Sequence, residues 1–173
     1  MKSLLITLAV IISISSSATA QDNALPRVVS EHSNVQIAAQ PDVDQLQDWI
    51  DAGTTLVISV RTAREMSELP FDEAAILQGA GVAYAHIPTG YETGYSTSAI
   101  DAISTILAAH DGPVVLHCTV GWRAAHVYTA HLIETGVVSP EGAESLGLSP
   151  NGELSADVMR DLSPRYAEAF PAE

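Results

Sequence analysis

The only cysteine of the chain, Cys118, lies in the segment His-Cys-Thr-Val-Gly-Trp-Arg, residues 117–123. An apolar run over residues 114–116 precedes it, and an amphipathic segment that ends at Gly136 follows it. This pattern predicts a buried strand, a tight loop and a helix. Because the first turn of a helix has unpaired N–H groups and the positive end of the helix dipole, it stabilises anions. We therefore expect Cys118 to ionise readily and to act as a thiolate nucleophile.

Arg123 is the second residue of this segment with a predicted chemical role. Its planar guanidinium can hold two oxygens of a phosphate, sulfate or thiosulfate, which the point charge of a lysine does less well. The N–H groups of the loop would complete an anion-binding site formed by Thr119, Val120, Gly121, Trp122 and Arg123. A lone cysteine at a strand end is more often a small buried hydrophobe. The glycine and the arginine nearby favour a functional Cys118.

These residues resemble the signature of cysteine-dependent protein phosphatases of the tyrosine and dual-specificity superfamily. Residues 37–41, residues 55–61 with Glu65, and residues 81–88 are in addition similar to the phosphatase-like domain found in beta-lactamase-hydrolase-like proteins. The resemblance extends over residues 35–148. It implies a phosphatase-like α/β fold in which the cysteine loop connects the last strand to a helix.

The sequence departs from the tyrosine phosphatase pattern in three places. Four residues separate Cys118 from Arg123, where tyrosine phosphatases have five. A four-residue spacing resembles rhodanese-type sulfurtransferases, and also the smaller phosphatase-like family. Ala124 stands where the superfamily usually has a serine or threonine that helps to release the thiolate from phosphocysteine. Residues 89–95, the loop that should hold the acidic aspartate, contain none, and Glu92 is the nearest substitute.

The remaining polar candidates have two interpretations each. Glu92 is the candidate general acid, although a glutamate between two glycine-flanked tyrosines is more often a solvated loop residue. Asp72 and Glu73 are weaker candidates for the general acid, because they fit better as acidic residues at the start of a helix. His117 either tunes the thiolate or bonds the loop backbone, and the resemblance favours the second role. Trp122 either lines the pocket or packs on a neighbour.

Two arginines follow a predicted strand at residues 55–60. Arg61 and Arg64 could reach the anion site, because open parallel sheets bind ligands at the carboxyl ends of their strands. Pairing with Glu65 and Glu68 is the alternative, and we favour it slightly. Arg61 is therefore predicted as a supporting residue only.

Strand and helix patterns alternate along the chain. Predicted strands cover residues 35–39, 55–60, 82–87 and 114–117, and predicted helices cover 42–52, 71–78, 97–109, 124–135, a short segment from 139 and an interrupted one over 155–170. This alternation predicts a single three-layer α/β domain, with a short, mainly parallel sheet flanked by helices. We place the domain at residues 35–173, after a flexible lead over residues 21–34.

The first 20 residues have the composition of a secretory signal peptide. They contain Lys2, an apolar run over residues 4–14 and the small residues Ala18-Thr19-Ala20. The apolar run is too short to span a bilayer comfortably. We therefore predict cleavage after Ala20, a secreted or periplasmic location, and no membrane insertion after cleavage.

The chain is strongly acidic, with 7 basic and 21 acidic residues and a formal net charge of −14. Loss of residues 1–20 would make this −15, because Lys2 is the only charged residue among them. Such a charge disfavours nucleic acids and anionic membranes as partners. A small anionic substrate or a phosphorylated residue must then be bound by a local anion-binding site, because the overall charge does not attract it. The sequence has no metal-ligand spacing and no cofactor motif, and it leaves the oligomeric state open.

The sequence therefore predicts an exported cysteine-dependent phosphatase-like hydrolase. A rhodanese-like sulfurtransferase that carries sulfane sulfur as a Cys118 persulfide is the first alternative. The second is an inactive module that binds an anion or a partner.

Overall fold

The protein is described here by a computed structural model that covers residues 27–173. The predicted signal peptide, residues 1–20, and residues 21–26 of the predicted lead lie outside these residues.

A five-stranded sheet forms the centre of the domain. Its strands are β1 (Val28–His32), β2 (Val35–Ala38), β3 (Leu56–Ser59), β4 (Ala83–His86) and β5 (Val114–His117). Their order in the sheet is β1-β2-β5-β3-β4. Only β1 is antiparallel to its neighbour, and the other pairs are parallel. The predicted mainly parallel sheet is confirmed, and β5 lies in the middle of it.

Seven α-helices and one 3₁₀ helix connect the strands and cover the sheet in the described part of the chain. They are α1 (Val43–Asp51), α2 (Ala63–Ser67), α3 (Glu73–Gly79), α4 (Thr97–Ala108), α5 (Trp122–Glu134), the 3₁₀ helix (Pro140–Leu146), α6 (Ala156–Leu162) and α7 (Pro164–Ala169). Helix α2 was not predicted from the sequence, because five residues are too few to establish a helical period. The signal that could have found it is its capping box, in which Thr62 and Glu65 bond each other's backbone N–H groups.

The prediction of a flexible lead is wrong for residues 28–32, which form β1. This strand pairs with β2, and His32 lies opposite Val35 across a tight turn at Ser33, whose φ is 57°. Local composition favoured a loop because the strand is mostly polar. Pairing with the exposed edge of β2 stabilises it instead, since each N–H and C=O of an edge strand needs a partner.

The sheet separates two apolar cores. On one face, Val114 and Leu116 contact the larger core, which is completed by residues of α4, α5 and α6. On the other face, Val115 packs with Leu46 and Trp49 of α1. Successive residues of a strand point to opposite faces. None of the described helices is long and apolar enough to span a membrane.

Candidate active site

The loop between β5 and α5 lies at the carboxyl edge of the sheet, where the sequence placed the candidate site. It is anchored to the end of β2: the Cys118 N–H donates to the carbonyl of Ala38 at 3.3 Å, and the Gln40 N–H donates to the carbonyl of Thr119 at 3.1 Å. Because β3, β4 and β5 are parallel, the segments that follow them emerge at the same edge. The alternation along β5 directs His117 toward the smaller core and Cys118 toward the larger one.

Helix α5 begins without a side-chain cap. Its N-cap residue is Gly121, with a φ of +87°. The neighbouring helices α1, α2 and α3 are capped instead by Asp42, Thr62 and Asp72. Because the first N–H groups of a helix have no partner within the helix, the start of α5 offers donors to a bound anion.

Replacing Gly121 with alanine is expected to destabilise the fold by about 1–3 kcal/mol, because it adds a clash to backbone strain. A Cβ at this position would lie 2.7 Å from Val29 Cγ2. The matched control is Gly53→Ala, since Gly53 has a φ of +86° and open space around its Cβ position. Urea unfolding should show a larger loss for the Gly121 variant. Equal losses would mean that the contact with β1 does not constrain the loop.

A cleft of about 300 Å³ opens beside this loop. It is lined by the cysteine loop, by the start of α2 and by the loop after β4: Thr62, Arg64, Glu65, Tyr91, Glu92, Tyr95, Cys118, Thr119, Val120, Trp122 and Arg123. Cys118 is a free thiol with only 1% of its surface exposed, and it also packs against the larger core. The structure thus brings Cys118 and Arg123 to the same cleft.

The guanidinium of Arg123 is held on two sides. Its Nη2 donates to both carboxylate oxygens of Glu65, at 2.6 and 2.8 Å, and its Nη1 donates to the carbonyl of Thr89 at 2.8 Å. Thr119 Oγ1 donates to the same carboxylate at 2.8 Å. Gly90 packs closely on this side chain, since a Cβ there would lie 3.0 Å from Arg123 Nη1. The arginine is therefore preoriented at the cleft, with little freedom to move away.

The Glu65–Arg123 pair is ionised over a wide pH range. Burial favours the neutral acid of Glu65, but hydrogen bonds from Arg123, the Thr62 backbone and Thr119 outweigh it and lower the pKa of Glu65 to about 2. Burial opposes the charge of Arg123, yet its hydrogen bond to Glu65 and its electrostatic interaction with Cys118 raise the pKa of Arg123. The role of Glu65 in holding Arg123 was not predicted from the sequence, because the two residues are 58 positions apart.

Glu92, the candidate general acid, lines the cleft at its exposed rim. Its carboxylate accepts a hydrogen bond from Arg64 Nε, and the two side chains are 40% and 69% exposed. Arg64 therefore lines the cleft and has Glu92 as its ion-pair partner, where the sequence suggested Glu65 or Glu68.

Arg61 and His117 do not line this cleft. Arg61 is 7% exposed and donates from Nη1 to Gln40 Oε1 at 2.7 Å, so the expected pairing with Glu65 or Glu68 is wrong. The ring of His117 is fully buried, and its Nε2 lies 2.7 Å from Glu73 Oε1. The expected hydrogen bond from His117 to the loop backbone is also wrong.

Glu73 lies at the start of α3, as the sequence suggested, but it is buried rather than solvated. Burial alone would raise its pKa. His117, a hydrogen bond from Gln40 and the charge of Arg61 outweigh burial and lower the pKa of Glu73. A buried carboxylate needs such partners, because an unpaired charge in the interior is costly. This cluster secures the end of β5 from the face opposite the cleft.

Trp122 fulfils both of its predicted interpretations. It lines the cleft, and its ring packs on His126 with the ring centroids 3.9 Å apart. His126 Nε2 accepts the Ser155 N–H at 2.8 Å, so Nδ1 carries the proton and donates to the carbonyl of Trp122 at 2.8 Å. A neutral imidazole thus joins the first turn of α5 to the start of α6.

The stability of the domain is expected to fall below about pH 6.5, the ordinary pKa of histidine. Burial lowers the pKa of His126, and a hydrogen bond to the Trp122 backbone only partly opposes this. His126 therefore binds a proton in the unfolded chain at a pH at which it remains neutral in the folded chain. The free energy of unfolding should decrease as the pH falls from this value toward the lowered pKa, by at most about 1.4 kcal/mol per pH unit for His126.

Urea unfolding between pH 5 and 8 measures this slope. Burial also lowers the pKa of His131, which contributes in the same direction. His126→Gln should flatten the slope relative to the wild type. A slope unchanged in the His126 variant would contradict the prediction.

Residues 27–173 contain no group of three or more histidine, cysteine or acidic side chains placed to hold a metal ion.

Comparison with known proteins identifies the domain. The sequence model of the phosphatase-like domain of beta-lactamase hydrolase-like proteins matches residues 27–133. The chain belongs to this family. The phosphatase-like domain is 28% identical over 134 residues to the beta-lactamase hydrolase-like protein of Xylella fastidiosa strain 9a5c, a match that covers 76% of this chain and 31% of that protein. The aligned region thus corresponds to about a third of the length of this curated relative.

Three solved phosphatase structures share the fold of this domain. The phosphatase-like domain matches Tk-PTP in its active form with a TM-score of 0.67 at 19% identity, covering 82% of this chain and 99% of that chain. It matches the kinase-associated phosphatase KAP, with its catalytic-site cysteine replaced by serine, with a TM-score of 0.67 at 16% identity, covering 80% and 88%. For PTPMT1 the TM-score is 0.65 at 21% identity, covering 79% and 92%. The predicted phosphatase-like fold is confirmed.

Proposed function

We propose that this phosphatase-like domain is an exported, cysteine-dependent hydrolase of phosphate monoesters. One observation carries the proposal: Cys118 and Arg123 line one cleft, and Glu65 and the carbonyl of Thr89 hold the arginine in place. The start of α5, which has no side-chain cap, adds backbone donors at the same point. A nucleophile and a preoriented anion clamp are the two parts that this chemistry needs.

In the proposed reaction, the Cys118 thiolate attacks the phosphorus of the monoester. The bond from phosphorus to the leaving oxygen breaks, its electron pair stays on that oxygen, and the oxygen takes a proton from an acid or from water. Water then attacks phosphocysteine, the S–P bond breaks, its electron pair returns to sulfur, and inorganic phosphate leaves. Arg123 and the N–H groups of residues 119–123 stabilise the negative oxygens in both steps.

Glu92 is the proposed proton donor to the leaving group. Its position on the rim of the cleft supports this role, and its ion pair with Arg64 opposes it, because a donor must carry a proton. Ala124 provides no hydroxyl to assist the release of the thiolate, so we expect slow hydrolysis of phosphocysteine.

Export is part of the proposal. It rests on the charged, apolar and small-residue regions of residues 1–20, which follow the order of a secretory signal peptide. Amino-terminal sequencing of protein recovered from the extracellular or periplasmic fraction tests it, with Gln21 as the expected first residue.

Sulfur transfer is the second candidate function. The four-residue spacing between Cys118 and Arg123 and the absence of an aspartate from residues 89–95 favour it, since sulfur transfer needs no acid on that loop. The thiolate would attack the sulfane sulfur of thiosulfate, the S–S bond would break and sulfite would leave. Cyanide would then remove the outer sulfur of the persulfide as thiocyanate and return the electron pair of the S–S bond to Cys118.

One experiment separates the two candidate functions. The purified protein is incubated with an aryl phosphate and, separately, with thiosulfate and cyanide, and the mass at Cys118 is measured after rapid acid quenching. Phosphate release and a phosphocysteine adduct would support hydrolysis. Thiocyanate and a persulfide adduct would support sulfur transfer. Anion binding without product in either assay would contradict both and favour a binding module.

A further inference from the structure

The hydroxyl of Tyr95 is buried and has no hydrogen-bond partner among residues 27–173. Its ring packs against the larger core and contacts the ring of Tyr91 edge-on, with the centroids 6.4 Å apart. Buried hydroxyls nearly always have a partner, because an unpaired one costs the free energy of its lost bonds to water. An unpartnered tyrosine hydroxyl therefore calls for an explanation.

The position of Tyr95 offers an explanation for its unpartnered hydroxyl. Apart from Glu73 Oε1 and His117 Nε2, which pair with each other at 2.7 Å, the buried side-chain polar atoms of the described chain without a hydrogen-bond partner belong to Arg61, Tyr95, His117 (at Nδ1) and Thr129. Tyr95 alone among them lines the cleft that contains Cys118 and Arg123. It also lies at the end of residues 89–95, the loop that should provide a donor to the substrate. Tyr95 thus combines a side chain that lines the cleft in which an anion would bind with a buried hydroxyl that has no hydrogen-bond partner in the described chain.

Tyr95 is suited to donate a hydrogen bond without losing its proton. Burial raises its pKa, and electrostatic interactions with Tyr91 and Cys118 act in the same direction, while Arg123 opposes them. The phenol is therefore neutral at neutral pH. A neutral donor differs from Glu92 at the rim, whose carboxylate is already paired with Arg64.

We propose that the Tyr95 hydroxyl donates a hydrogen bond to an oxygen of the tetrahedral anion that binds over Cys118. The inference rests on the proposed function of this cleft and adds a substrate-contacting donor to it. No proton is transferred in this role, so the bond stabilises charge on the bound group rather than on the leaving alcohol. Phosphate esters and thiosulfate both present such oxygens, and the proposal holds for either substrate.

The test replaces Tyr95 with phenylalanine, which removes the hydroxyl and keeps the ring. We expect kcat/KM to fall by about 10- to 100-fold, less than the roughly 10²- to 10³-fold loss seen when one donor to a developing oxyanion is removed. Tm should stay the same or rise, because an unpartnered buried hydroxyl is removed. The control is Tyr166→Phe, which removes a hydroxyl from the larger core outside the cleft and should leave kcat/KM unchanged.

Protection of Cys118 provides a readout that needs no turnover. Iodoacetamide alkylates the thiol, and inorganic phosphate or thiosulfate bound over the sulfur should slow this reaction. In Tyr95→Phe, about ten times more anion should be needed for half-protection, while alkylation without anion should proceed at the wild-type rate.

Three outcomes are distinguishable. Weaker protection and lower kcat/KM in Tyr95→Phe, with a normal Tyr166→Phe, support the inference. Wild-type values in Tyr95→Phe overturn it and leave the proposed function intact. A wild-type protein with neither turnover nor protection contradicts the proposed function, and the inference with it.

Discussion

Replacement of Cys118 by serine is expected to lower kcat/KM by a factor of about 10⁴ to 10⁶, the scale on which an enzyme loses activity without its nucleophile. A serine hydroxyl stays protonated at neutral pH, whereas a thiol at a helix N-terminus beside a cation ionises. The variant should form neither phosphocysteine nor a persulfide. Release of phosphate from an aryl phosphate, transfer of sulfur to cyanide, and the mass of the protein measure these losses.

The controls for this variant address folding and anion binding. Cys118 is 1% exposed and packs against the larger core, so a serine there buries a hydroxyl. Cys118→Ala is therefore made as well, because it removes the nucleophile without burying a polar group. Both should unfold cooperatively and bind inorganic phosphate in calorimetry. More than a tenth of the wild-type kcat/KM in either folded variant would rule out a thiolate mechanism.

Replacement of Arg123 by lysine is expected to lower kcat/KM by about 10²- to 10³-fold, although the positive charge is retained. Arg123 bonds both oxygens of Glu65 through Nη2 and the carbonyl of Thr89 through Nη1. A single ammonium group cannot reproduce this planar fork, so the positive charge would no longer be held beside Cys118. Steady-state kinetics with the aryl phosphate or thiosulfate measure the loss.

A matched control and a double-mutant cycle make this second prediction specific. Arg160→Lys is the control, because Arg160 pairs with Asp157 on α6 outside the cleft. It should retain the wild-type kcat/KM. Glu65→Gln keeps the size of the side chain but weakens its hold on Arg123, so its effect should be smaller in the Arg123→Lys background than in the wild type. Strictly additive effects would show that Glu65 does not position the arginine.

The fold was predictable from the sequence wherever the pattern is local. The run at residues 114–116 and the helical period after Arg123 correspond to β5 and α5, because burial on one face imposes a fixed spacing on apolar residues. The strand β1 and the short helix α2 were missed. A polar edge strand and a five-residue helix are too short or too polar for periodicity to identify.

The candidate site was predictable only in part. Cys118 and Arg123 are neighbours across a single loop, so their shared position at the start of α5 follows from the chain itself. The lack of a side-chain cap on that helix also follows from the sequence, because the N-cap residue Gly121 has no side chain.

Distant partners were decided by the tertiary structure alone. Glu65 reaches Arg123 across 58 positions of sequence, Glu73 contacts His117, and Tyr95 lines the cleft. The sequence by itself determined which residues could ionise, clamp an anion or start a helix, because these properties depend on residue type and near neighbours. Which carboxylate meets which cation depends on the sheet order β1-β2-β5-β3-β4, and no local pattern encodes that order.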